Sequence, residues 1–341
     1  MPARTRHGLV VAIVIAAICT LTAASVSGAA PPPTTTPAPA SAPCGAATLS
    51  TVSAVIASVA KNIYAGELGG GEVTIDQNRI ARSTALLKAV AKRDSLGAYS
   101  AVHALVYHRL WHIVRLRVLD TGGHLLADVG GPYIIAPVSG VLRQGGRVIG
   151  SYVMSVQDDY GFTLLENHAA GDPIAVYYHG KKVADTGGPL PPTPPAGPTL
   201  TIGSVTYVVV TLTFKAFPSG TVTAVILVPP PAPSLAAQPC VAVRAIEIGR
   251  VAQLLAERFH PLNASYVKYV EVVHSDTGAM VILRIGPRAL PGSQGIGPAV
   301  IPDSGPLTWL GHNYWVVSLS PTPPAKIYLF VSTPQTSAAS S

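Results

Sequence analysis

The stretch HIVRLRVLDTGGHLLADVGGP (His112–Pro132) decides how the rest of the chain reads. Apolar residues alternate with arginines on the approach to Asp120-Thr121-Gly122. Such alternation marks a strand. Asp followed by Gly suits a tight turn, because Asp caps the turn and Gly tolerates positive φ. The segment predicts a hairpin of Val114–Leu119 against Leu125–Val129. A second stretch, KYVEVVHSDTGAMVILRIGP (Lys268–Pro287), repeats the pattern around Asp276-Thr277-Gly278. Farther along, IGSVTYVVVTLTFKAFPSGTVTAVILVPP (Ile202–Pro230) parallels LGHNYWVVSLSPTPPAKIYLFVSTP (Leu310–Pro334). Each has a Gly, a Tyr and a β-branched strand, then a proline turn and a last strand. His108 and His260 hold matching places upstream. Similar segments in the same order predict duplication of one strand-rich unit.

Each unit opens on a helical pattern. Val52, Val55, Ile56, Val59 and Ile63 recur at helical spacing in the first, and Ile248, Val251, Leu255 and Phe259 do so in the second. Further helices are expected over Asn78–Lys92 and Ala101–Tyr107. Strands are expected over Arg147–Gln157, over Ile174–His179 and Lys181–Ala184 on either side of Gly180, and over Tyr207–Phe214 and Thr221–Val228. The fold expected is α+β, with two tandem antiparallel sheets, each preceded by a helix. The first unit has about six strands; the second, with about four, is reduced and lacks a counterpart to Arg147–Asp185.

With 341 residues, 48% hydrophobic and 11% charged, the chain has room for two domains and enough apolar surface for a core, which excludes global disorder. The formal charge is +7. Arg4 and Arg6 precede the first apolar run, and the other cations are scattered, with no run beyond Lys181-Lys182. A nucleic-acid surface shows a clustered basic stripe with aromatics, so no nucleic-acid partner is expected. The mild positive balance suits solubility or weak attraction to an anionic envelope.

Residues 1–29 have the tripartite form of a secretory signal: a basic start, the apolar run Leu9–Leu21, and the small-residue site Ser27-Gly28-Ala29. The alternative is an uncleaved anchor with the span stretched through Ala24 to Ala30, which would be the chain's membrane contact. Ile18 before Cys19 does not suit a lipobox. No second apolar span of membrane length follows, so the expectation is a secreted or cell-surface protein without an intracellular output domain. Cleavage leaves Cys44 and Cys240. An even count in an oxidising compartment predicts one disulfide between them, the alternative being two unpaired buried thiols. Proline-rich stretches at Pro31–Pro43, Pro189–Pro198 and Pro229–Pro239 punctuate the chain. The organisation expected is a signal over 1–29, a linker over 30–43, a first domain over 44–230, a linker over 231–239, a second domain over 240–333 and a loose tail over 334–341.

The order of a long helix, VRLRVLDTGGHLLADVG, the Gly131-Pro132 segment, the strand GRVIGSYVMSVQDD (Gly146–Asp159) and a terminal hairpin resembles the extracellular Cache domain, a PAS-like antiparallel sheet with a leading helix. The resemblance covers about Ala47–Val228 best, and the second unit resembles a reduced copy, so the pair is similar to a double Cache tandem. Members of that family are mostly the outer parts of chemoreceptors and sensor kinases that bind small metabolites in the first module. The resemblance therefore implies small-ligand sensing outside the membrane, with the signal passed to a membrane signalling partner. Arg109-Leu110-Trp111-His112 is similar to the Arg-x-Trp-Tyr of the amino-acid-binding branch. It precedes the first strand, whereas the family's motif follows the second, so that specificity is not carried over.

In a PAS-like sheet the end of such a strand borders the cavity. Ser155, Gln157, Asp158 and Asp159 are therefore candidate ligand residues, with Tyr133, Tyr152 and Tyr177 as apolar cover and hydrogen-bonding partners. The alternative is a solvated turn in which the Asp residues cap a helix beginning near Thr163, with Tyr177 in the core. His108 and His112 are four apart, as in helical zinc sites, but no Glu follows in the HExxH manner and Val114 starts a strand at once, so no metal and no cofactor are expected. Asn263-Ala264-Ser265 matches a glycosylation acceptor. G-x-S-x-G, phosphate loops and clustered metal ligands are missing, and Gly69-Gly70-Gly71 lacks the Lys-Ser/Thr of a P-loop. The chain reads as a non-enzymatic binder of a small polar metabolite. The competing reading is an envelope-associated interaction module with filled cores.

Overall fold

The computed structural model describes residues 42–188, 190–258, 274–275, 277–290, 293–322 and 325–333. The fold is α+β with antiparallel sheets. Helix α1 (Ala42–Gly69) leads into α2 (Gly71–Arg82), α3 (Thr84–Ala91) and α4 (Ser95–Val106). A first sheet follows from β1 (Arg115–Asp120), β2 (Leu125–Gly130), β3 (Val138–Gln144) and β4 (Arg147–Ser155), in the order β2-β1-β4-β3. Helix α5 (Asp159–Ala170) opens a second sheet of β5 (Ile174–Tyr178), β6 (Lys181–Asp185), β7 (Thr199–Ile202), β8 (Val205–Lys215) and β9 (Thr221–Val228), in the order β6-β5-β9-β8-β7. Helix α6 (Cys240–Arg258) precedes a third sheet of β10 (Met280–Ile285), β11 (Arg288–Ala289), β12 (Ser304–Trp309), β13 (His312–Thr322) and β14 (Ala325–Ser332), in the order β11-β10-β14-β13-β12.

The second and third sheets share one topology: strands in spatial order 2-1-5-4-3 within each set. The duplication is therefore present, but its first half is displaced from the expected one. The Ile202–Pro230 and Leu310–Pro334 segments correspond as expected, since they hold β8–β9 and β13–β14. The partner of β10–β11 is β5–β6, not the Asp120 hairpin. The matching turns are Gly180 and Gly286, both at positive φ. The Asp120 hairpin belongs to an additional four-stranded sheet, so the first unit holds nine strands in two sheets rather than about six in one. Asp120 does make the expected turn, accepting from Gly122 N at 2.8 Å and His124 N at 2.9 Å. Asp276 lies outside the described residues. Gly278 follows a helical turn, donating to the His274 carbonyl at 2.8 Å, and leads directly into β10. A turn signal is local chemistry and serves a helix exit as well as a hairpin. The expected Asn78–Lys92 helix is split at Ser83, whose hydroxyl caps α3 by accepting from Leu86 N. His260, Phe259 and the Asn263 acceptor lie outside the described residues.

One face of each five-stranded sheet packs on a shared helical layer. Val52, Val55, Ile56, Val59 and Ile63 of α1 are all buried, and with α5, α6 and the inner faces of both sheets they form one continuous core. At its centre Tyr64 stacks on Phe214 (centroids 4.2 Å apart) and meets Phe162 edge-on at 6.2 Å, while its hydroxyl donates to the Lys215 carbonyl. Burial pushes the Tyr64 hydroxyl up to about 12. The outer faces are covered by loops. Over the second sheet the proline-rich segment after β6 buries Leu190, and the carbonyl of Pro191 accepts from the hydroxyl of Tyr177 at 2.9 Å. Over the third, the segment after β11 brings the Pro298 carbonyl to buried Arg284 at 2.9 Å.

A buried charge joins α6 to the first unit. Asp172, just before β5, is 1% exposed, and its Oδ1 lies 3.4 Å from Arg250 of α6. Arg250 also donates to the Ala170 carbonyl at 2.9 Å and pairs with Glu247 at 3.2 Å. Desolvation pushes Asp172 up to about 6, with Arg250 opposing the rise and Glu247 adding to it.

Unfolding returns Asp172 to its ordinary value near 4, so between about pH 4 and pH 6 the folded chain holds a proton that the unfolded chain has lost. Stability then falls as pH rises through that window, by an amount on the order of 3 kcal/mol from this group. Urea titrations across it will show that slope, and Asp172→Asn will flatten it; an unchanged slope in the variant would assign the effect elsewhere. Phe162→Ala will cost about 3–5 kcal/mol in the same measurement.

Candidate functional site

The residues expected to line a ligand cavity fall in three places: Tyr152 in the core of the first sheet, Tyr177 in a separate core of the second, and the rest around the segment 133–136. Ser155 and Asp159 bond to Ile134 and Ile135, next to Tyr133, and so clamp the segment 133–136 to the end of β4 and the start of α5. The Asp159 carboxylate is buried and accepts from Ile134 N and Ile135 N, both at 2.9 Å. Burial raises its pKa, and the two backbone N–H groups oppose that rise. Ser155 donates to the Ile135 carbonyl at 2.7 Å, and its hydroxyl accepts from Gln157 N. Asp158 caps α5, accepting from Gly161 N at 2.7 Å, the turn alternative that the sequence had left open. Arg115 completes the joint: it grips Asp128 with two bonds (3.1 and 3.0 Å), donates to the Tyr133 carbonyl at 2.9 Å, and lies 4.3 Å from the ring centroid of Phe217 in the β8–β9 turn. Tyr152 is in the core of the first sheet, against Gly140, where an added Cβ would fall 2.3 Å from its hydroxyl. Tyr177 is in the separate core under the proline-rich loop. Both carboxylates at this corner already accept from the chain's own backbone donors.

An open cleft of about 520 Å³ lies elsewhere in the same unit, between α2, α4 and the segment before β1. Ile75, Asn78, Arg79 and Arg82 recur at helical spacing on α2 and form one wall. Ser83, Leu105 and Trp111 form the rest. The guanidinium of Arg79 lies 5.0 Å from the centroid of the Trp111 ring, and His108 stacks on the same indole at 3.9 Å. Arg79 is fixed from behind by buried Asp76, with Nη1 2.6 Å from Oδ1. A smaller recess of about 170 Å³ adjoins it on the other side of Arg79, lined by Glu72, Ile75, Asp76, Leu110 and His112. There His112 Nδ1 is 3.3 Å from Glu72.

Two arginines, an amide and a hydroxyl around an indole face suit an anionic ligand with an apolar part. A guanidinium binds a carboxylate or phosphate with paired donors, and an arginine held on an aromatic ring is already oriented. Among the described residues, Arg82 has no ion-pair partner, which leaves its charge available to a guest. Trp111 belongs to the Arg109–His112 stretch set aside in the sequence, and it is the tryptophan that faces the cleft, while Arg109 is not among the lining residues. The signal that marks the site in sequence is the run of Asn78, Arg79 and Arg82 on one face of α2, with Ile75 a turn earlier. His108 and His112 do not share a helix, since both follow the end of α4. Among the described residues no three His, Cys, Asp or Glu side chains gather as metal ligands would.

No protein-family model matches the chain, and no characterised protein matches it in sequence. Among solved structures the chain is similar to the periplasmic domain of Vibrio cholerae LuxQ, at 11% identity and a TM-score of 0.33, over 54% of this chain and 98% of that one. A selenomethionine structure of the same periplasmic domain is similar at 12% identity and a TM-score of 0.17, over 85% of this chain and 98% of that one.

Proposed function

We propose that this chain is an exported, extracytoplasmic sensor-type protein whose first unit binds a small anionic metabolite in the cleft between α2 and Trp111. The observation that carries the reading is the Arg79 guanidinium, set over the Trp111 ring at 5.0 Å and held by buried Asp76 beside about 520 Å³ of open volume. A ligand carboxylate or phosphate would pair with Arg79 and Arg82, hydrogen-bond to Asn78 and Ser83, and rest its apolar part on Trp111, Leu105 and Ile75. The chain would carry out no reaction on this guest, and any signal would pass to a separate membrane protein. The signal-like residues 1–29 and the Cache resemblance support placement outside the membrane. The second reading is an interaction module with filled cores. It is favoured by the two five-stranded sheets, whose outer faces the chain's own loops cover.

The export reading includes a Cys44–Cys240 bridge. Cys240 opens α6, and the side chain of Cys44 lies outside the described residues. Non-reducing peptide mapping of the secreted protein will find the two in one cross-linked peptide; recovery of both as alkylated thiols refutes the pairing.

Thermal melting against a panel of amino acids, carboxylates, amines and nucleobases tests the cleft. A ligand present at a hundred times its Kd stabilises by about 2.7 kcal/mol, a rise of a few degrees. Carboxylate-bearing members will raise Tm, and Arg82→Ala and Trp111→Ala will abolish the rise. Arg82 is exposed, so Arg82→Ala will melt like the parent without ligand. A flat panel, or an undiminished rise in Arg82→Ala, leaves the interaction-module reading standing.

A further inference from the structure

The cations that look scattered along the sequence are not evenly shared. Residues 71–156, which hold α2, α3, α4 and the first sheet, contain ten lysines and arginines against five carboxylates, whereas residues 157–341 contain ten of each. The same module bears an unusual helix. The inner face of α4 is buried through Ala98, Ala101, Val102, Leu105 and Val106. Its solvent side carries a stripe of Leu and ring side chains: Leu96, Tyr99, His103 and Tyr107 succeed one another at intervals of three and four residues. Leu96 is 78% exposed and Tyr107 63%. The rings form a chain along the helix, Tyr99 to His103 at 6.1 Å and His103 to Tyr107 at 4.5 Å. Exposed cations flank both ends, Lys92 and Arg93 before the helix and Arg109 after it; Arg93 also pairs with Asp120 at 3.3 Å, and Asp94 between them and the helix is held as its N-cap. Arg93 and Arg147 border an open, polar groove of about 460 Å³ at the leading end.

We infer that the solvent face of α4 docks on an anionic lipid surface, with Leu96, Tyr99 and Tyr107 entering the headgroup region and Lys92, Arg93 and Arg109 meeting lipid phosphates. An apolar stripe of this size left facing water marks an interaction surface. A convex helix rather than a groove fits a plane, and Leu with Tyr between basic residues is the composition of helices that lie in a bilayer interface. The charge excess of the module complements an acidic leaflet and does not extend to residues 157–341. This surface is separate from the ligand cleft: none of Leu96, Tyr99, His103 or Tyr107 lines it. The inference therefore stands or falls independently of the proposed ligand.

Co-sedimentation of the mature chain with vesicles tests it. Binding to vesicles of phosphatidylcholine mixed with phosphatidylglycerol, weak binding to phosphatidylcholine alone, and release by salt are expected. The double variant Leu96→Glu, Tyr107→Glu will lose about tenfold or more in partitioning. Lys92→Glu will lose about fivefold. Both will keep the parent's melting temperature, because the substituted side chains are exposed. Equal partitioning of parent and variants, or no partitioning, overturns the inference. Two further outcomes also overturn it: a dimer in sedimentation velocity that the double variant dissociates, which gives the stripe to a second copy, and release from vesicles by polyglutamate at low concentration, which gives it to an acidic chain.

Discussion

Each five-stranded sheet of this chain has two apolar faces and only one helical layer to set them on. Both sheets solve half of the problem by sharing α1, α5 and α6, which form with them a single core around Tyr64, Phe162 and Phe214. That sharing constrains the rest. It ties the second unit to the first through α6, and it places Arg250 where it must neutralise the buried carboxylate of Asp172. It leaves the remaining face of each sheet to be covered by whatever the chain can supply, which is the loop between the second and third strands of each set. The additional four-stranded sheet has its own helices and its own core, and it is joined to the shared layer by the clamp on residues 133–136.

Much of this architecture is legible in the residues. The periodicity of Val52 to Ile63 identifies α1, and the β-branched runs at Tyr207 and Thr221 locate β8 and β9 closely. The duplication is legible too, but Asp-Thr-Gly misplaces its register. Three polar residues that favour a turn look alike whether they link two strands or end a helix, while the true correspondence, Gly180 with Gly286, is a single glycine in dissimilar surroundings. The four residues of β7 and the glycine-bearing β3 are too short or too polar on one side to stand out.

The candidate site shows a different limit. A carboxylate at a strand end has the same sequence signature whether it awaits a ligand or accepts from two backbone N–H groups across a gap of two dozen residues. Asp159 does the latter, and only its distance from Ile134 and Ile135 tells the two cases apart. The cleft draws on residues from Ile75 to Trp111, contributed by two helices, a helix cap and an irregular segment. On α2 its polar wall reads as an ordinary solvated helix face. What distinguishes Arg79 is its support, an aspartate behind it and an indole in front, and neither contact follows from spacing along the chain.

The proline-rich loop over the second sheet has a consequence of its own. The Pro191 carbonyl satisfies Tyr177 and Leu190 joins the adjoining apolar cluster, so the polypeptide itself covers that face of the sheet. Prolines make that cover stiff, since it surrenders little freedom on settling. The outer face of that sheet is thereby closed by a stiff segment of its own chain, and the open volume of the unit lies instead beside α2 and Trp111.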